Sequence, residues 1–376
     1  MIAKIQDDAW NGLTLVRGAR QLLTLRGAAG PRRGAALGEL GIIPDGALLI
    51  RGGQILEAGP SRRVENLAVA RGAREINAAG RIVMPGFVDS QIQAAFTPAL
   101  PARALAVRVR SLLAGMARHG TTTLAAGPNP QQDRADAWKL LRILADLDGH
   151  PLGIVPVCYA GTETMCTDVL PVIARRKLAR FVSVNAETLG LVAARRLLEC
   201  ARQLGFGVAV QAGVQLAIEL EAASVSVDPV EPAADLSGSG TIAMLLPAAA
   251  YHRRLEPSAS IRALIDGGAA VALASGFGGE HCPTYNMQMA VSLACSRMGF
   301  SPAEAICAST VNGAYALALG HRCGSLEPGK AADLLLLNVT DYREVAEQVG
   351  INHVHMVLKN GSVIYQEGEV TGWTSQ

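Results

Sequence analysis

Three features of the sequence predict an α/β fold, a (β/α)8 TIM-type barrel with a small β-sandwich domain built from both chain termini. Eight short apolar segments lie between residues 83 and 276, helix-period stretches separate most of them, and glycine-punctuated β-rich runs occupy both ends. The division that follows gives 1–80 and 324–376 to the composite sandwich and 81–323 to the barrel.

At the amino-terminal end, LTLVRGARQLLTL, GALLIRGGQILEAGP and REINAAGRIV read as strands, with Gly52-Gly53 placed as a hairpin turn between apolar runs. The barrel strands follow in order: VMPGFVDS, TTTLAAG, GIVPVCYAG, FVSVNAET, GVAVQAG, SVSVDPV, TIAMLLP and AVALASG. Helix-period segments such as ADAWKLLRILADL, LVAARRLLECARQLG and SASIRALIDGG lie between them. Apolar strands joined by crossover helices are what a parallel sheet covered on both faces requires. Eight such units close into a barrel whose active region sits at the carboxyl ends of the strands. The stretch from Thr97 to Arg110 receives no assignment. At the other end, AADLLLLNV and HVHMVLKNGSVIYQEGEV are β-rich again, with Asn360-Gly361 as a turn.

At 376 residues, half of them hydrophobic and 18% charged, the chain can bury a sizeable core. Its 34 basic and 32 acidic residues are dispersed, which excludes the concentrated basic footprint of a nucleic-acid binder. Arg32-Arg33 and Arg253-Arg254 read as solvated loops. No apolar run is long enough to span a bilayer, and the first residues, MIAKIQDDAWNG, lack a signal-peptide core. A cytoplasmic protein without a membrane partner is expected. Seven cysteines fall without CxxC spacing, so neither a disulfide framework nor a thiolate zinc site is expected.

RIVMPGFVDS followed late in the chain by GSLEPGKAADLLLLNV resembles the amidohydrolase superfamily. Within it, CPTYNMQMAVSLACSRMGFSPAEAICASTVNGAYALAL, HGTTT at 119–123 and ARRLLECARQLGFGV at 194–208 are similar to imidazolonepropionase. The resemblance implies a metal-dependent barrel that hydrolyses cyclic C–N bonds. It also implies where the metal site belongs, and there this chain departs from the pattern. Gln91 and Gln93 stand where the family's first strand has His-x-His, and Gln211 stands where the fifth strand has a histidine. Asp228 is followed by Pro229 rather than the catalytic histidine, and Gly276 occupies the place of the eighth-strand aspartate. Glu187 matches the family's fourth-strand glutamate. The expected arginine aligns with Leu100, the loop after the second strand is reduced to Gly127-Pro128-Asn129, and the connection from Phe96 to His119 is short.

A catalytic zinc or iron site needs about three imidazole or carboxylate ligands. Amide oxygens have neither imidazole's donor strength nor a carboxylate's charge. Metal coordination lowers the pKa of water from about 15.7 to about 7, which amounts to on the order of 12 kcal/mol of nucleophile activation. A positioned general base alone supplies roughly 3–5 kcal/mol. No metal or other cofactor is therefore expected.

The loop GFGGEHCPTYN brings Glu280, His281 and Cys282 near the barrel mouth, where a Cys-His pair could make a thiolate nucleophile. The catalytic candidates are accordingly Glu187, Asp228, His281 and Cys282. Cys282 also has an ordinary place before its proline in the resembled family. Two functions remain open, beside a purely structural subunit whose barrel mouth would be filled. One is a non-hydrolytic pseudoenzyme with a binding, regulatory or partner-subunit role, its partners a small molecule at the mouth and a second copy or an active paralogue. The other is a metal-independent hydrolase of a cyclic amide or other C–N bond, using Glu187, Asp228 or the Glu280-His281-Cys282 loop.

Overall fold

The computed structural model describes residues 12–94, 100–130, 133–149, 151–227, 236–257, 259–278 and 282–368. Both chain ends contribute to one sheet. Its strands are β1 (Leu13–Leu23), β2 (Ile42–Arg51), β3 (Gln54–Pro60), β4 (Arg74–Asn77) and β5 (Ile82–Pro85), joined after the barrel by three more. The barrel strands are β6 (Phe87–Ala94), β7 (Thr121–Pro128), β8 (Gly153–Ala160), β9 (Phe181–Asn185), β10 (Gly207–Gln211), β11 (Ser224–Ser226), β12 (Ile242–Leu245) and β13 (Val271–Leu273). The carboxyl-terminal strands β14 (Leu334–Leu337), β15 (Val354–Lys359) and β16 (Ser362–Gln366) complete the terminal sheet. Its order is β16-β15-β14-β5-β1-β2-β3, with β4 paired to β1. Alternate residues from both ends of the chain, including Val16, Leu48, Val83, Leu334 and Leu358, bury one apolar core. No helix among the described residues is long and apolar enough to cross a membrane.

The eight barrel strands are the eight expected, in sequential parallel order from β6 to β13. One segment divides in two. VMPGFVDS runs through Gly86: Ile82–Pro85 belongs to the terminal sheet, and the barrel strand starts at Phe87. A Cβ at Gly86 would lie 2.2 Å from Thr122 Cγ2, so only glycine lets the chain pass this close to β7. The unassigned stretch also resolves, since Ala102–Arg118 is the first crossover helix. Leu105, Val109, Leu113 and Met116 form its buried stripe at helical spacing, while the arginines between them hide that period in the sequence.

Hydrogen-bonded ladders join every neighbouring pair from β6 to β13, and the barrel closes between β13 and β6 by a different means. Asp89 on β6 is fully buried and accepts hydrogen bonds from the Ser275 backbone N–H at 2.9 Å and the Ser275 hydroxyl at 2.5 Å. The Gln93 amide donates to the Phe277 carbonyl at 2.9 Å. At Gly278, with φ +150°, a Cβ would sit 1.9 Å from the Gln93 carbonyl oxygen, so the seam is tight enough to exclude any side chain there.

The sheet and barrel are joined by a second buried polar contact. Lys359 Nζ lies 2.6 Å from Asp333 Oδ2, the two side chains being 7% and 3% exposed. The same ammonium donates to Thr123 Oγ1 on β7 at 3.2 Å, and Asp333 Oδ1 accepts the Asn360 amide at 2.9 Å. Removing one member leaves an uncompensated charge in the interior. Asp333→Ala should lower unfolding free energy by about 3–5 kcal/mol, and a paired Asp333→Leu, Lys359→Met protein should lose less, as read by chemical denaturation.

Burial raises the Asp89 pKa from 3.8 to about 6, opposed by its hydrogen bonds from Ser275. The folded state therefore binds more protons than the unfolded state between these values. The stability this group contributes is fully present below about pH 4 and is lost as pH rises through about 6, a change on the order of 3 kcal/mol. Denaturation curves across that range should show this loss in the native sequence, and Asp89→Asn, which keeps an acceptor for the Ser275 amide, should flatten it. Asp89→Ala should destabilise at every pH by about 1–3 kcal/mol, because that amide would then be orphaned.

Candidate functional site

The carboxyl ends of the barrel strands surround a cavity of about 610 Å³. Strand alternation decides what enters it. On β9, Phe181, Ser183 and Asn185 point inward while Val182 and Val184 pack outward; on β10, Gln211 points inward while Val208 and Val210 join the outer core. The register between β6 and β7 shifts between Asp89 and Ile92. As a result, the consecutive residues Ser90 and Gln91 both meet side chains inside the barrel: Ser90 Oγ reaches Met244 Sδ at 3.8 Å, and Gln91 Oε1 accepts from Ser226 Oγ at 2.5 Å.

The floor of the cavity is a set of neutral side chains bonded to one another. Gln93 Nε2 donates to Gln211 Oε1 at 3.0 Å, linking β6 to β10 across 118 positions of sequence. Gln211 Nε2 reaches Ser183 Oγ on β9 at 3.5 Å. With the Ser226–Gln91 bond, these contacts tie β6 to three strands that it does not pair with. Beneath them a space of about 20 Å³, lined in part by Ser90, Ser183 and Ser224, has room for a single water. Burial holds the Tyr159 phenol, which lines both spaces, well above its ordinary pKa, so it stays protonated.

The positions singled out from sequence fall into three groups. Gln91, Gln93, Gln211 and Gly276 all line the cavity, and Glu187 stands at its rim with an exposed carboxylate. Asn185 places Glu187 there by accepting the backbone amides of Glu187 and Thr188 at 3.0 and 3.1 Å, which starts the short helix Ala186–Leu189. Asp228, Pro229, Glu280 and His281 lie outside the described residues. Cys282 is buried against Ala248, Ala249 and Leu293 and is absent from the cavity lining. Its thiol donates to the Thr284 carbonyl at 3.4 Å, and burial pushes its pKa up, away from the thiolate a nucleophile needs.

The sequence reading missed Ser183, Asn185 and Ser226, although each lies on the inward phase of its strand and the alternation SVS marked Ser226. It also assigned Arg253 to a solvated loop. Arg253 is exposed as expected, yet it caps the helix Pro247–His252 and lines the cavity rim.

The donor chemistry bears directly on whether this site suits a metal. Among the described residues there is no group of three or more His, Cys, Asp or Glu side chains placed to hold an ion. The amides at the floor are neutral, and the Gln91 and Gln211 oxygens already accept hydrogen bonds from Ser226 and Gln93. Such a donor set is a poor fit for zinc or iron.

Residues 252–364 match the model of the amidohydrolase family. The chain is 32% identical over 420 residues to the imidazolonepropionase of Symbiobacterium thermophilum, with 95% of this chain and 98% of that protein covered. It is 31% identical to the imidazolonepropionase of Geobacillus kaustophilus, covering 94% and 98%. Among solved structures, an adenosine deaminase from Xanthomonas campestris with bound zinc superposes with a TM-score of 0.69 at 16% identity, covering 94% of this chain and 93% of that one. Escherichia coli guanine deaminase gives 0.69 at 17%, covering 94% and 99%.

If the floor is a coupled unit, Gln93→Leu and Gln211→Leu should each destabilise by about 1–3 kcal/mol, because each leaves a polar partner unsatisfied. The double variant should lose less than the sum. Urea unfolding of the four proteins in this cycle should give a coupling of about 0.5–1.5 kcal/mol.

Proposed function

The chain belongs to the amidohydrolase family as an imidazolonepropionase-like member, and from that premise we propose that it is a non-hydrolytic one, whose barrel mouth binds a small molecule without a metal. The observation that carries the reading is the bonded floor, in which Gln91, Gln93 and Gln211 engage Ser226, Ser183 and one another. Neutral amides neither hold a divalent cation firmly nor acidify a water bound to one. The eighth-strand end supports the same reading. Gly276 has φ +66°, and a Cβ there would lie 3.2 Å from Leu246 Cδ1, so a larger residue at this position needs a left-handed backbone and a small shift of Leu246.

What remains suits recognition. The cavity falls within the range of small-molecule sites, about 300–1,000 Å³, and is lined by polar and apolar groups together. The proposed role is binding, regulation or partnership with an active relative, in the cytoplasm and without nucleic acid or membrane.

A second reading, metal-independent hydrolysis of a cyclic amide or other C–N bond, draws on Glu187, the one carboxylate among the described residues that line the cavity. It predicts turnover that falls sharply in Glu187→Gln.

Elemental analysis of protein produced with supplemented zinc and iron should find well under one ion per chain. A screen of imidazolone, hydantoin and lactam compounds should show no turnover. A stoichiometric divalent ion at the mouth would overturn the proposal, and Glu187-dependent turnover would establish the second reading in its place.

A further inference from the structure

Only two charged residues, Glu187 and Arg253, line the cavity among those described. Both are exposed, and neither side chain has an ion-pair or hydrogen-bond partner among the described residues. Two ion pairs lie on nearby segments of chain, Glu163 with Arg196 at 3.1 Å and Glu256 with Arg297 at 2.9 Å. Among the described residues the mouth therefore keeps one free cation and one free anion.

Their placement separates them. Glu187 follows β9 and Arg253 follows β12, three strand positions apart in the barrel order, with the neutral Gln91–Gln93–Gln211 floor below and between. Strands spaced about 4.8 Å apart put these two sides of the rim on the order of 10–15 Å from each other, too far for adjacent ligand groups. A guanidinium presents a planar fork matched to a carboxylate, and a carboxylate accepts equally well from an ammonium, amidinium or guanidinium. Between them, amides and hydroxyls offer both donors and acceptors to an uncharged linker.

We propose that the mouth takes a small zwitterion, its carboxylate on Arg253, its cationic nitrogen group on Glu187, and its neutral middle over the amide floor. The inference rests on the metal-free reading, since a divalent ion at the floor would draw the carboxylate to itself. Arg253 then serves as the anion anchor of a site in which Leu100 is the residue aligned with the family's arginine.

The test is calorimetry and thermal shift on the full chain with 4-guanidinobutanoate and guanidino acids of graded chain length, beside butanoate and butylguanidinium as half-probes. At least one zwitterion should bind more tightly than either half-probe. Arg253→Gln and Glu187→Gln, both exposed and so neutral to folding, should each weaken it roughly tenfold. Butanoate binding as tightly as the zwitterions, no effect of either substitution, or no zwitterion binding at any length would overturn the inference. Repeating the titration after chelation separates the two readings. Zwitterion binding that needs a retained metal would sink the metal-free reading, whereas metal-free protein that ignores every zwitterion would sink only the ligand class.

Discussion

A barrel of eight parallel strands exists only if its first and last strands meet, and in this chain that meeting depends on a buried carboxyl. Asp89 accepts both the backbone amide and the hydroxyl of Ser275, and no ladder joins β13 to β6. Everything at the mouth is indexed from that contact. Gln91 and Gln93 lie two and four residues beyond Asp89, and Gly276 to Gly278 continue directly from Ser275, where Gln93 N–H meets the Phe277 carbonyl. Burying an unpaired carboxyl is unfavourable unless it is hydrogen-bonded or neutral. Here it is hydrogen-bonded, and its raised pKa adds a protonated form at mildly acidic pH. The seam thus links barrel closure to the geometry of the site.

The amide floor continues what the seam begins. Side-chain bonds from β6 to β10 and β11, extended through Gln211 to β9, span the barrel where ladder bonds cannot reach. Each contributes roughly 0.5–1.5 kcal/mol in net terms, far less than a metal held by three protein ligands. Their effect is on specificity of arrangement: two glutamines separated by one residue on the same strand take different partners, Ser226 and Gln211, which set the orientation of each. A floor held in this way presents a defined pattern of donors and acceptors to whatever enters above it.

Much of this was legible in the sequence, and for identifiable reasons. The strands read correctly because parallel strands covered on both faces are continuous apolar runs, and Gln91, Gln93, Gln211 and Gly276 fell at the mouth because they end or follow such runs. VMPGFVDS was read as one strand because nothing in its apolar pattern distinguishes its two sheets. Only the crowding of Gly86 against Thr122 marks the crossing. The helix Ala102–Arg118 was hidden because arginine and alanine dilute its stripe. Ser183 was passed over because a lone hydroxyl carries little signal until the register sets what it faces, and Arg253, exposed as expected, gave no sign in sequence that its loop borders the cavity.

Loss of catalytic ligands by drift would be expected to leave traces in the packing. A side chain that once faced a metal and was replaced at random would strand polar neighbours in a dry interior, and stranded groups are rare in stable proteins because each costs about 1–3 kcal/mol. Among the described residues, the buried side-chain atoms without partners are His119 Nδ1, Thr121 Oγ1 and His353 Nε2. None belongs to the cavity lining. They lie where the first crossover helix ends, at the start of β7 and just before β15, away from the strand ends that hold the glutamines. The glutamines at the mouth, by contrast, bond to one another and to neighbouring serines and leave no buried side-chain atom orphaned among the described residues.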